Sequence, residues 1–122
     1  MVYDTAIIGA GPAGVSAGVY AARKQLKTLF VTKEWGGQSV VSPGIQNWIG
    51  TIEIAGEELA KQLKAHLEAY AGEYVDIKEG LNATEIDKQM RMVEVEIMSM
   101  FTPASDSAVN MRAATPGLVF MP

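Results

Sequence analysis

The sequence predicts an α/β domain, a parallel β-sheet with helices flanking it. Three observations lead there. A short apolar run, "YDTAII" (3–8), is followed by Gly9, Gly11 and Gly14 in the spacing G-x-G-x-x-G, then by an Ala-rich stretch and a second apolar run, "TLFVT" (28–32). Strand, turn, helix and strand within about thirty residues is the unit from which parallel sheets are built. Farther on, "EELAKQLKAHLEAYAGE" (57–73) repeats leucine at helical spacing, and "VDIKE" (75–79) reads as a further strand. Of the 122 residues, 48% are hydrophobic, which suits a chain that encloses a core rather than one that stays disordered.

Each element follows from its residues. Residues 3–8 are apolar enough for a buried strand, and the glycines then turn the chain. "AGVSAGVYAARK" (13–24) carries charge only at its end, where Arg23 and Lys24 meet the negative pole of a helix. The second strand is expected to end near Thr32. Residues 35–56 scatter Gly, Ser, Pro and Asn among apolar residues, the composition of an ordered but irregular excursion. In 57–73, Leu59, Leu63, Leu67 and Tyr70 share one helical face, and Glu57 and Glu58 sit in the first turn, where the helix dipole favours them. "MVEVEIM" (92–98) alternates at Val93, Val95 and Ile97, as a half-exposed strand does. From Phe101 onward, prolines and small residues predict a loop-rich tail with one strand at "GLVFM" (117–121). The expected organisation is one domain over 1–100 and a tail, 101–122, that completes the same domain or is unrelated to it.

Composition excludes several function classes. A net charge of −4 and the lack of a Lys/Arg cluster argue against a nucleic-acid surface. The chain has no cysteine, so its own residues offer no thiol chemistry; a reducing cytoplasm fits this. Residues 5–22 are uncharged, but Gly9, Gly11, Pro12, Gly14 and Gly18 suit a turn and a close-packed helix better than a membrane span, and a targeting peptide would need early positive charge. No cluster suggests a metal, and no side chain stands out as a catalytic acid, base or nucleophile. His66 has no partner group and reads as a surface residue; Trp35 and Trp48 read as packing groups, and the Met-rich stretch 90–100 as adaptable packing or a binding surface.

The glycine turn is the candidate site. A lone G-x-G-x-x-G is weak, but here it stands between a strand and a helix with a second strand following, the context a dinucleotide-binding turn requires. Gly9 permits the tight turn, Gly11 lets a pyrophosphate approach the backbone, and Gly14 lets helix and strand pack closely. Pro12 and Ala13 lie in the first helical turn, where free N–H groups face a phosphate and the missing N–H of proline costs nothing. A tight turn without ligand is the alternative. Glu34 follows at about the twenty-residue distance of an acid that holds ribose hydroxyls. A strand ending at Thr32 would instead let Glu34 turn into solvent, and both readings stay open here.

"YDTAIIGAGPAGVSAGVYAARK", "WGGQ" and "GIQNWIG" together resemble the thioredoxin reductase family of FAD-dependent pyridine nucleotide-disulfide oxidoreductases, and the related peroxiredoxin-reductase flavoproteins, in order and spacing from residue 3 to about 89. The resemblance implies a Rossmann-type, incomplete FAD-binding domain whose glycine turn holds the pyrophosphate of FAD. Carried over by position, it implies that Gly36, Gly37 and Gln38 wrap the FAD and that Asn47 reaches toward the flavin end; on their residue types alone Gln38 and Asn47 read as turn residues that satisfy loop backbone. "LNATEI" is similar to the segment whose backbone contacts adenine, which makes Ala83 a candidate. The family often has an acid where Lys33 stands, and here the acid, Glu34, comes one place later. Family members are dimeric through the FAD domain, which implies a homodimer. They also carry an NADPH domain with a Cys-x-x-Cys pair, neither of which is in these 122 residues. "TPGLVFMP" resembles only the first part of the segment that completes the FAD site. The resulting expectation is an FAD-binding domain of a thioredoxin reductase-like oxidoreductase that lacks disulfide reductase activity alone. The alternatives are a non-catalytic dinucleotide-binding module and a truncated structural fragment.

Overall fold

A computed structural model of the chain describes residues 2–87, 92–97, 108–111 and 118–120, with side chains described through residue 84. In order these form β1 (Val2–Tyr3), β2 (Thr5–Ala10), α1 (Pro12–Arg23), β3 (Thr28–Trp35), a 3-10 turn (Gly37–Val41), α2 (Gly56–Glu68), β4 (Val75–Glu79), β5 (Leu81–Asp87), β6 (Met92–Ile97), β7 (Ala108–Met111) and β8 (Leu118–Phe120).

The central sheet runs β4-β3-β2-β8, and every pairing in it is parallel. The Rossmann-type α/β class expected from the sequence is therefore the observed one. A second sheet, β1-β7-β6-β5, is antiparallel between β5, β6 and β7 and parallel between β1 and β7. The two faces of the central sheet have different covers. On one, Ile7, Phe30 and Val75 meet Val15 and Val19 of α1 and Leu59, Leu63 and Leu67 of α2 in a single buried cluster. Burying each such side chain stabilises the fold by about 1.5–3 kcal/mol relative to leaving it exposed. On the other face, Ala6, Leu29 and Val31 pack with Tyr3 and with Leu81 and Ala83, which brings β5 across the sheet.

Several boundaries differ from the sequence reading for identifiable reasons. The apolar run 3–8 is not one strand. Asp4 interrupts it: its amide donates to the Lys27 carbonyl at 2.7 Å, and its carboxylate accepts the Lys27 amide at 2.9 Å. Val2 and Tyr3 leave the central sheet there and pair with β7. The second strand does not stop at Thr32 but continues to Trp35 through an irregularity opposite Gly9. The Thr32 hydroxyl donates to the Glu34 carbonyl at 2.6 Å, the Gly36 amide donates to the Ala10 carbonyl at 2.9 Å, and the Trp35 ring stacks on Phe30 at 5.8 Å. These contacts hold the extra residues in extended form.

The amphipathic helix ends at Glu68 rather than 73, because the Tyr70 and Ala71 amides turn back to Leu67 and Glu68 and Gly72 adopts a φ of 87°. Tyr70 still packs against the core. The excursion is irregular as expected, closed by reciprocal hydrogen bonds between Ile45 and Ile54 at 2.7 and 3.0 Å. Both tryptophans pack against the core, and His66 is exposed in the last turn of α2. In the tail, the expected strand is β8, paired in parallel with β2 (Ile7 opposite Val119), and β7 is a second strand that the sequence did not reveal. The methionine side chains of 90–100 lie outside the described residues.

Candidate functional site

The carboxyl ends of β2 and β3 open onto the glycine turn, as ligand crevices in parallel sheets do. Gly9 has a φ of 102°, a left-handed conformation that a side chain resists. Its carbonyl packs against Gly14: a Cβ on Gly14 would lie 2.0 Å from Gly9 O. The third glycine is thus required by the closeness of helix and turn. Gly11 is different. Its φ of −71° suits any residue, and a Cβ there would meet nothing within 4 Å. The space above Gly11 is open, and α1 begins directly after it, with Pro12 at its first turn and no acidic residue to neutralise the positive pole. The Ala13 and Gly14 amides, in that first turn, have no carbonyl four residues back within the helix.

A cavity of about 190 Å³ adjoins the turn. Gly9 and Gly11 form one wall, Val31 to Glu34 a second, Leu81 to Ala83 of β5 a third, and Gly37 closes the rim. Of the residues picked from the sequence, Gly9, Gly11, Glu34, Gly37 and Ala83 therefore converge on one space. Gly14 lies behind the turn and Gly36 is buried, where an added Cβ would strike Ala60 Cβ at 2.6 Å. Gln38, in the 3-10 turn, and Asn47, in the excursion, are exposed and are not among the cavity's lining residues. The longer β3 brings Glu34 to the cavity wall instead of beyond it. Lys33, Leu81 and Asn82 also line the cavity, although the sequence reading did not select them. The signal for Lys33 was strand alternation; for Leu81 and Asn82 it was their place beside Ala83 in "LNATEI".

The cavity is smaller than the roughly 300–1,000 Å³ usual for a small-molecule site, so it would enclose only part of a dinucleotide. The open approach to Gly11 adds room for phosphates at the helix terminus. The residues present thus fit the nucleotide half of FAD. Tyr3 and Tyr74, neither of which lines the cavity, carry raised hydroxyl pKa values, Tyr74 through its hydrogen bond to Glu73 and that carboxylate's charge. For Tyr3, burial, then the hydrogen bond to Asp76 and its charge, push the hydroxyl above the ordinary tyrosine range. Among the described residues, no group of three or more His, Cys, Asp and Glu could hold a metal ion, and no helix is long and apolar enough to cross a membrane.

Comparison with known proteins agrees with this architecture. The chain is 39% identical over 95 residues to an alkyl hydroperoxide reductase subunit of Staphylococcus aureus, an alignment that covers 78% of this chain and 18% of that protein. Among solved structures, T. acidophilum thioredoxin reductase superposes with a TM-score of 0.70 at 30% identity, covering 89% of this chain and 33% of the other. The thioredoxin reductase of Streptococcus pyogenes gives a TM-score of 0.74 at 28% identity, covering 98% and 34%. The chain therefore spans about a third or less of the length of these relatives. Residues 3–101 match the pyridine nucleotide-disulphide oxidoreductase family, and the chain belongs to it, with the fold of the thioredoxin reductases.

Proposed function

We propose that this chain is the FAD-binding domain of a thioredoxin reductase-like flavoprotein oxidoreductase. The observation that carries the reading is the convergence of Gly9, Gly11, Glu34, Gly37 and Ala83 on one cavity at the carboxyl end of the sheet. In this reading the backbone from Gly9 through Pro12 and Ala13 to Gly14 receives the pyrophosphate. Glu34 accepts hydrogen bonds from the ribose hydroxyls, and the Ala83 backbone meets the adenine. Gly36, Gly37 and Gln38 wrap the dinucleotide, and Asn47 serves the flavin end. When bound, FAD supplies the redox chemistry; the chain's own residues bind it, orient it and shield one side of it. No side chain here takes a catalytic role.

Two further parts belong to the same proposal. The tail completes the domain that begins at the N-terminus, which is supported by the parallel pairing of β8 with β2 and of β7 with β1. The chain acts as a homodimer, as the family resemblance implies, and in the cytoplasm, which its lack of cysteine fits. A second reading, a non-catalytic module that takes FAD, NAD or ADP, is favoured by one observation: Gln38 and Asn47, the residues given to the flavin end, are exposed and do not line the described cavity. Purification separates the two. Co-purifying yellow flavin absorbance that is lost in Gly11→Val supports the FAD reading, and a colourless protein that takes up no flavin on incubation with FAD refutes it.

A further inference from the structure

The backbone that closes the cavity's rim has no side chains of its own to hold it. Gly36 and Gly37 both stand in the left-handed region, at φ of 87° and 54°. The 3-10 turn that follows buries none of its side chains. The fit is nevertheless close. An added Cβ on Gly36 would lie 2.6 Å from Ala60 Cβ of α2, and one on Gly37 would lie 3.3 Å from Gly11 Cα, at the approach to the helix terminus. Glycine backbone is free to take many conformations, so neighbouring groups must select this one.

The residue before the pair is Trp35. Its ring stacks on Phe30, with centroids 5.8 Å apart and planes 12° from parallel. Among the described residues its indole N–H, although buried, has no acceptor. Contacts with the ring, rather than a hydrogen bond, therefore hold the indole. One of them is a cation: Lys64 Nζ stands 5.3 Å from the ring centroid, within the range of cation–π attraction. Lys64 lies one turn after Ala60 on α2, so one helix face meets both Trp35 and Gly36. Its ammonium is fixed in turn, donating to both Glu79 carboxylate oxygens at 3.3 Å and standing 3.9 Å from Glu68. The ends of β4 and β3 are thereby tied to α2 just before the glycine pair. Lys64 does not line the cavity, and the FAD reading gives it no role. We infer that Lys64 is a positioning residue for the cofactor: by clamping the Trp35 ring it presets the Gly36–Gly37 backbone over Gly11, where the pyrophosphate passes. Such presetting raises affinity by removing an ordering cost from the binding step. This role rests on the glycine turn being the FAD site.

Equilibrium titration of the full chain with FAD, followed by flavin fluorescence, tests it on the wild type, Lys64→Met, Lys64→Arg, Trp35→Leu and the double variant of Lys64→Met with Trp35→Leu, alongside thermal unfolding of each. Methionine keeps an unbranched stem and removes the cation; arginine keeps a cation for the ring. Lys64→Met should weaken FAD about threefold, the scale of one partly exposed cation–π contact, and Lys64→Arg should bind as the wild type does. In the Trp35→Leu background Lys64→Met should cost nothing further, because the ring it acts through is gone. Where Trp35→Leu does not fold, the comparison of methionine with arginine decides alone. Unchanged FAD affinity in Lys64→Met, an equal loss in Lys64→Arg, or an undiminished loss in the Trp35→Leu background overturns the role of Lys64 and leaves the FAD site standing. A wild type that binds no FAD overturns the FAD site and this role with it.

Discussion

Gly11 and Gly14 belong to one motif, yet substitution should separate their roles. In Gly14→Ala the added Cβ would stand 2.0 Å from Gly9 O and 3.0 Å from Gly9 C, where ordinary contact begins at 3.4 Å. The obstacle is backbone rather than the tip of a flexible side chain, and Gly9 is held at a φ of 102° in a turn with little freedom to yield. Overpacking of this kind costs about 1–3 kcal/mol, and a backbone clash belongs at the upper end. In a domain of this size about 3 kcal/mol lowers Tm by on the order of 10 °C. Gly11→Val meets nothing within 4 Å and keeps an allowed φ of −71°, so its cost to stability should be about 1 kcal/mol or less. Its branched side chain instead fills the approach to the helix terminus, and nucleotide affinity should fall at least tenfold. Thermal unfolding followed by circular dichroism, paired with nucleotide titration, measures both effects. A Gly14→Ala protein as stable as the wild type, or a Gly11→Val protein with unchanged affinity, would refute this division of labour.

Three further outcomes are expected. The raised pKa of the Tyr3 hydroxyl means that the folded state holds its proton longer than the unfolded chain, so the stabilisation is complete below about pH 10 and is lost as pH rises toward the folded-state value. Tyr3→Phe should therefore flatten the alkaline fall in stability in urea unfolding between pH 8 and pH 11, on the order of neutral to above the tyrosine value, and an unchanged slope would contradict the assigned cause. Leu67 is fully buried where α2 meets α1 and the sheet, and Leu67→Ala should cost about 2–5 kcal/mol in chemical denaturation; a loss under about 1 kcal/mol would mean that this contact is not part of the core. The purified chain with FAD and NADPH should reduce no disulfide substrate and should give at most slow turnover with oxygen or a dye, because its sequence has no cysteine to form a mixed disulfide. Brisk, saturable disulfide reduction without a partner protein would overturn that expectation.

What the sequence disclosed, and what it hid, follows from how local each signal is. The glycine turn and both helices were legible because spacing within a few residues determines them; Leu59, Leu63 and Leu67 are buried as their periodicity requires. The break at Asp4 was hidden because its partner, Lys27, is remote in sequence. The extension of β3 was hidden because it depends on Gly36 bonding to Ala10 and on Trp35 stacking against Phe30. The cavity's third wall, Leu81 to Ala83, exists only once β5 crosses the sheet face, and hydrophobic pattern alone gives no such crossing. Gln38 and Asn47 came from family resemblance, and their exposed positions show how far that resemblance reaches beyond the described cavity.

The most direct test of FAD binding at the glycine turn is a side-by-side equilibrium titration of the purified chain with FAD and with NAD, repeated on Gly11→Val. The geometry at Gly11 and the excursion through "WGGQ" and "GIQNWIG" predict saturable FAD binding, tighter than NAD, that Gly11→Val abolishes or sharply weakens. Tighter binding of NAD than of FAD, or FAD binding unaffected by Gly11→Val, would contradict it.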